Sequence, residues 1–166
     1  NYYKHILHPY YVKQYNGRWY LFGLDAQEER IKNLAFDRIQ SIQLCNQPFI
    51  KNTSVDFETY FENVVGVTVP SYSTAEIIDI DLRFSESRFK YVTSKPIHKS
   101  QQIISELECV IRLSLYYTKE LEQQIFSFGP DVEILSPAWL REEFSQKIAD
   151  CFIKYFSVQN NCTDRS

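Results

Sequence analysis

Tyr10-Tyr11-Val12-Lys13-Gln14-Tyr15-Asn16-Gly17-Arg18-Trp19-Tyr20-Leu21-Phe22 reads as two alternating runs joined by Asn-Gly. Asn-Gly between such runs is the strongest short-range hairpin signal, because a type I′ turn needs positive φ at both central positions. The stretch therefore predicts paired antiparallel strands over residues 10–15 and 18–24. A two-residue turn fixes their register: Tyr15 opposite Arg18, Lys13 opposite Tyr20, Val12 opposite Leu21 and Tyr11 opposite Phe22. Alternation then gives two faces, Val12, Gln14, Trp19 and Leu21 on one, and Tyr11, Lys13, Tyr15, Arg18, Tyr20 and Phe22 on the other. The first face reads as core, the second as an open surface of rings and cations.

That mixed face has two readings. Cross-strand aromatic and cation pairs stabilise an ordinary half-exposed sheet, each by roughly 0.2–1 kcal/mol. Rings that stack bases beside cations that hold phosphate give the same pattern in a nucleic-acid binder. Spacing leaves both open.

Downstream, Asp25-Ala26-Gln27-Glu28 reads as a turn, residues 29–36 as a third strand with Arg30, Lys32, Leu34 and Phe36 on one side, and Asp37-Arg38 as a corner. Residues 39–45 alternate with Ile42 and Leu44 facing one way, which predicts a fourth strand ended by Gln47-Pro48. Four short, closely connected strands imply a small bent sheet or barrel over residues 1–52. From residue 53 the period becomes helical, with Phe57, Tyr60, Phe61, Val64 and Val65 on one stripe, Ser54 as N-cap and Gly66 as the residue past the C-cap. Residues 53–74 are thus a helix and a linker, and the domain boundary falls in the linker.

The second region, residues 75–157, opens with Ile78, Ile80, Leu82 and Phe84 alternating against Asp79, Asp81 and Arg83. A short helix over 86–92 follows, then strands near 97–104 and 107–117, the latter with Leu107, Cys109, Ile111, Leu113 and Leu115 inward. Thr118 caps a helix that Gly129-Pro130 ends, and 132–135 form a last strand. Ser136-Pro137 starts a final helix with a predicted buried stripe of Leu140, Phe144, Ile148, Cys151, Phe152 and Tyr155. The order β-α-β-β-α-β over residues 77–135 predicts a ferredoxin-like arrangement. Residues 158–166 read as a polar tail.

The chain has 166 residues, 44% of them hydrophobic, which is enough for a sizeable core. No apolar run or leader pattern suggests a membrane span, and four scattered cysteines without a C-x-x-C pair suit a reducing compartment, so a soluble cytoplasmic protein is expected. The absence of methionine and the first residue, Asn1, point to a processed or excised segment. Net charge is −3, yet residues 1–52 hold seven Lys/Arg against four Asp/Glu, so any anion-binding tendency lies at that end.

Catalytic signatures are weak. With four glycines there is no phosphate-cradling loop, and no H-E-x-x-H, G-x-S-x-G or Cys/His cluster occurs, so no cofactor or metal is expected. The best carboxylate pair, Asp79 and Asp81, is either a metal-binding pair or the wetted face of a strand, and His98 lacks a partner identifiable from sequence. The expected protein is not an enzyme.

Arg18-Trp19-Tyr20-Leu21, preceded by His8-Pro9-Tyr10-Tyr11-Val12-Lys13 and followed by Arg30 and Leu34-Ala35-Phe36-Asp37-Arg38-Ile39, resembles the WYL domain of bacterial transcriptional regulators. Ile97-His98-Lys99-Ser100-Gln101 and Phe128 through Pro137, with Leu140-Arg141, resemble the ferredoxin-like extension that follows WYL domains. The resemblance implies an α+β chain: a small SH3/Sm-like β-barrel, then a ferredoxin-like extension. It implies a regulator's sensing half that binds a nucleic-acid fragment or nucleotide-like anion, with Tyr20, Arg30 and Arg38 as ligand groups and Lys13 and Tyr11 added by register. It further implies a homodimer and a preceding DNA-binding domain absent from these residues. The competing expectation is a structural dimerisation module without a small ligand.

Overall fold

The computed structural model describes residues 3–70 and 75–159. The chain divides into two units, one of residues 1–76 and 116–124, the other of residues 77–115 and 125–166.

In the first unit Leu7–Tyr15 (β1), Arg18–Asp25 (β2) and Arg30–Ala35 (β3) form an antiparallel sheet in the order β1-β2-β3. Asn16 and Gly17 both take positive φ, 49° and 74°, and the register is the one a two-residue turn dictates, with Tyr11 opposite Phe22 and Tyr15 opposite Arg18. A bulge between Pro9 and Tyr11 lets the consecutive rings of Tyr10 and Tyr11 both reach the core side. The ladder continues across β3, where Leu34 pairs with Leu21 and Arg30 with Asp25.

The buried face is the reverse of the expected one. Phe22 is 1% exposed and centres a cluster with Phe57 and Val67, whereas Trp19 and Val12 are 51% and 45% exposed. Area decides this: an aromatic side chain buries about 150–250 Å², so a face of four rings gains more from cover than one with a Trp, a Val and a Leu. The cover is the segment that supplies Phe57, Tyr60 and Phe61.

That segment is not the predicted helix. Asn52 Oδ1 accepts from the N–H groups of Ser54 and Val55, Asp56 Oδ1 accepts from Glu58 N, and isolated turns close at Tyr60, Glu62 and Val64. These short polar side chains satisfy the backbone locally and stop a continuous helical ladder. The predicted fourth strand is also missing. After β3 a 3-10 turn at Phe36–Arg38 takes the chain off the ladder, and residues 39–45 run without strand pairing, with Ile42 and Leu44 on the surface. The first sheet is therefore open and three-stranded, and no closed barrel forms.

In the second unit Ile77–Phe84 (β4), Gln102–Ser105 (β5), Val110–Tyr116 (β6) and Val132–Ser136 (β7) form a sheet in the order β5-β6-β4-β7. This is the strand order of a ferredoxin-like fold. Helix Glu86–Ser94 (α1) is capped by the Ser85 hydroxyl, which accepts from Arg88 N; Lys119–Ser127 (α2), most of which counts with the first unit, is capped by Thr118, which accepts from Leu121 N. Ile80, Leu82, Ile111, Leu113, Ile125 and Leu140 are fully buried, and Cys109 is buried as expected. Leu107 is not, because it lies in the tight turn before β6 and is 95% exposed. Residues 97–101 are tied by the Gln101 side chain to Ile97 N and Val92 O, which delays β5 to residue 102.

The last helix, Ala138–Gln159 (α3), buries only Leu140 and Phe144 of its predicted stripe, and Ile148, Cys151, Phe152 and Tyr155 are exposed. Length explains this: 22 residues extend roughly 33 Å, while the five-residue β7 beneath covers roughly 17 Å. The linker residues 71–74 and the tail beyond 159 lie outside the described residues. Among the described residues, no helix is long and apolar enough to cross a membrane.

Candidate functional site

The alternation of β1 and β2 puts Tyr11, Lys13 and Tyr20 on the covered face of the first sheet. Tyr11 stacks on Phe57 with ring centroids 4.9 Å apart and planes 2° from parallel. Lys13 Nζ sits 3.8 Å from the centre of the Phe61 ring, and burial lowers its pKa below the ordinary lysine value. Tyr20 packs against the cluster of Phe22, Phe57 and Val67. Each of these three groups has a protein partner where a ligand ring or phosphate was expected. Arg18 pairs with Asp37 at 3.2 Å.

The opposite face carries Trp19, Leu21, Lys32, Leu34 and Arg30, the last three fixed by pairing with Gly23, Leu21 and Asp25. A hollow of about 1040 Å³ opens here, lined by Tyr3, Lys4, His5, Leu34, Arg38, Ile39, Gln40, Ser41 and Gln43. Among the described residues no carboxylate lies within ion-pair reach of Arg38, and the 3-10 turn after β3 delivers its side chain to the hollow's lining. Arg30, at the other end of β3, pairs with Glu28 through Nε at 2.6 Å. The five expected site residues therefore do not converge: Lys13 and Tyr20 are partly buried, Tyr11 stacks on Phe57 while 39% exposed, Arg38 lines the hollow, and Arg30 stands apart from it.

Beside the hollow lies a fixed ionic network. Asp25 is fully buried at the end of β2 and accepts from the N–H groups of Gln27 and Glu28 at 2.9 and 3.0 Å. His5 Nδ1 lies 3.0 Å from Asp25 Oδ2, and Lys32 Nζ 3.2 Å from the same oxygen. Burial pushes the Asp25 carboxyl up, but the Glu28 and Gln27 N–H groups, then Lys32 and His5, outweigh it and bring its pKa down to about 2. Lys32 also pairs with Glu28, and that hydrogen bond leads the causes that raise its pKa. The network anchors His5, one wall of the hollow, to the sheet. With Lys4 and Arg38 as cations, Gln40 and Gln43 as amides and Leu34 as an apolar floor, the hollow has the chemistry to hold an anion.

The alternative carboxylate pair is engaged elsewhere. Arg112 donates to both Asp81 oxygens at 2.7 and 2.8 Å, and the Ser114 hydroxyl donates to Asp79 at 2.6 Å. The Arg112 hydrogen bond holds the Asp81 carboxyl below its usual range, against the effect of burial. His98 Nδ1 is 2.8 Å from the Ser100 hydroxyl and accepts from Ser100 N, a local turn rather than a catalytic pair. Among the described residues no group of three His, Cys, Asp or Glu side chains could hold a metal ion.

Residues 3–44 match the WYL domain and residues 76–151 match the WCX domain, most of the chain between them. The chain carries a WYL domain followed by a WCX domain. In this WYL-domain chain the first match covers the three-stranded sheet and the hollow, and the second covers the ferredoxin-like unit as far as the middle of α3. No curated protein matches the sequence. Among solved structures it is similar to proteasome accessory factor B/C (PafBC) of Arthrobacter aurescens, with 14% identity and a TM-score of 0.37 over 91% of this chain and 22% of that one. The WYL-domain chain thus spans less than a quarter of that relative's length.

Sequence reasoning missed Lys4 and His5, which precede β1 in a segment without periodicity, and Gln40 and Gln43, whose segment was read as a strand and forms none. One signal was available: Asp25, two and three residues before the N–H groups it accepts from, is an Asx-turn residue that ends a strand and recruits a cation.

Proposed function

We propose that the chain is the effector-sensing, regulatory region of a transcriptional regulator, and that its WYL sheet binds a nucleic-acid fragment or nucleotide-like anion. The observation that supports this reading is the hollow on the open face of the first sheet, where Arg38 and Lys4 have no carboxylate partner among the described residues, while the neighbouring Asp25 and Glu28 are paired with Lys32 and Arg30. The role expected of Tyr11, Lys13 and Tyr20 then becomes one of packing the floor of the site from behind. Arg38 is the ligand group, and Arg30 holds the Glu28 turn.

Binding of such an effector would bias a two-state regulator by the difference between its affinities for the two states. Titration of the chain with a short single-stranded oligonucleotide at increasing salt tests the reading. Two contacts to phosphate, from Arg38 and Lys4, predict a slope of about −1.4 in log affinity against log salt, and Arg38→Ala should weaken binding about tenfold at low salt and make the slope shallower by about 0.7. Absence of binding at low salt removes the effector assignment.

A second reading, self-association without a small ligand, is favoured by the apolar surface of α3, where Ile148, Phe152 and Phe156 stay more than half exposed on one side of the helix. The two readings are compatible, since they use different units.

A further inference from the structure

We infer that the ferredoxin-like unit carries a small-molecule site of its own, a pocket between the end of α2, β7 and α3 that takes an uncharged, mainly apolar ligand. The inference concerns the second unit alone and stands whether or not the hollow of the first unit binds an anion. Helix α2 ends at Ser127, and the 3-10 turn Gly129–Asp131 then swings the chain into β7, with Gly129 at a φ of 56°. β7 is an edge strand of its sheet, and α3 packs against it. Between these elements opens a cavity of about 560 Å³, walled by Ile125, Phe126, Val132, Ile134, Phe144 and Ile148. Its volume lies inside the range of roughly 300–1,000 Å³ that small-molecule pockets occupy. A Cβ built on Gly129, which also lines the cavity, would meet nothing within 4 Å, so that end is open space.

The walls are set before any ligand arrives. Phe126 and Phe144 stack with ring centroids 4.5 Å apart and planes 15° from parallel, so two of the lining rings hold each other in place. The charged side chains of the lining are Glu133 and Arg141, and each is already engaged. Arg141 Nη2 lies 2.8 Å from Glu133 Oε1, its Nη1 donates to Ile134 O at 2.6 Å, and Glu133 also pairs with Arg83 at 3.1 Å. An anionic ligand would have to displace Glu133 from Arg141, and a cationic one would have to displace both guanidinium groups from Glu133. An uncharged ligand displaces neither and gains the burial of its apolar surface. Ser145 lines the same wall and brings a hydroxyl for one polar group of the ligand. The Ile134 carbonyl, at the middle of the edge strand, is taken by Arg141, which blunts β7 against an added peptide strand.

The test uses the full chain and two fluorescent probes that share one ring system, uncharged N-phenylnaphthylamine and its charged relative anilinonaphthalene sulfonate. N-phenylnaphthylamine should bind saturably at one site per chain, and the sulfonate should bind about tenfold more weakly. Ser145→Phe puts a ring into the cavity from an exposed helix position and should weaken the uncharged probe about tenfold with unchanged circular dichroism. Ile148→Ser, which removes an exposed part of the wall, should weaken it about threefold. The Phe152→Glu, Phe156→Glu variant changes the exposed stripe of α3 outside the lining and should bind the probe within twofold of the parent. Equal affinity for the two probes, or undiminished binding of N-phenylnaphthylamine by Ser145→Phe and Ile148→Ser, overturns the site. Loss of the probe in the Phe152→Glu, Phe156→Glu variant overturns it too, because the probe then sits on the stripe. A parent chain that binds no probe, or a dimer that excludes it because a second copy covers the cavity, overturns it equally.

Discussion

Asp25 shows how one buried residue organises the end of a strand. Its carboxylate is buried, accepts two backbone N–H bonds and orients His5 and Lys32. Its pKa in the folded chain, about 2, lies below the value near 3.9 of an unfolded aspartate. The stabilisation is therefore present above the unfolded pKa and is lost as the pH falls from about 4 towards 2. Asp25→Ala leaves those donors without an acceptor and should cost about 3 kcal/mol at neutral pH, and the variant should lose less stability on acidification than the parent. Urea unfolding followed by tryptophan fluorescence at pH 7 and pH 3 measures both effects. The pairing of Lys13 with Tyr20 was legible in the sequence because Asn-Gly fixes a register. Which side of that pair is buried was not, because the answer comes from Phe57 and Phe61, some forty residues further on.

Among the elements, β4 was the most legible: Ile80, Leu82 and Phe84 alternate against Asp79, Asp81 and Arg83, and the first three are buried. Residues 39–45 have the same kind of alternation and form no strand, since a pattern is realised only where a neighbour offers an edge and a surface. The helix α3 fails its pattern differently. Its apolar stripe runs past the sheet, and Phe152 stacks on Phe156 at 5.2 Å with both rings exposed. If a second copy covers this stripe, light scattering at rising concentration should show the mass of a dimer, and a Phe152→Glu, Phe156→Glu variant should remain a monomer with unchanged secondary structure. A parent chain that stays monomeric at high micromolar concentration ends the self-association reading.

At the scale of the molecule, the hairpin at the start and the β5-β6-β4-β7 strand order of the later sheet were legible in the sequence, because alternation and turn residues are local signals. The buried side of the first sheet was not legible, because residues 57–67 cover the aromatic face and leave the side of Trp19 open. That open face is the central claim, and amide and indole chemical-shift mapping tests it directly. In ¹H–¹⁵N spectra of the chain titrated with an eight-nucleotide oligodeoxythymidylate, the largest shifts should fall on the Trp19 indole N–H, Leu21, Leu34 and Arg38. Tyr11, Lys13, Tyr20 and Phe57 should hardly move. Shifts concentrated on Lys13, Tyr20 and Phe57, with the Trp19 indole unmoved, would contradict the account.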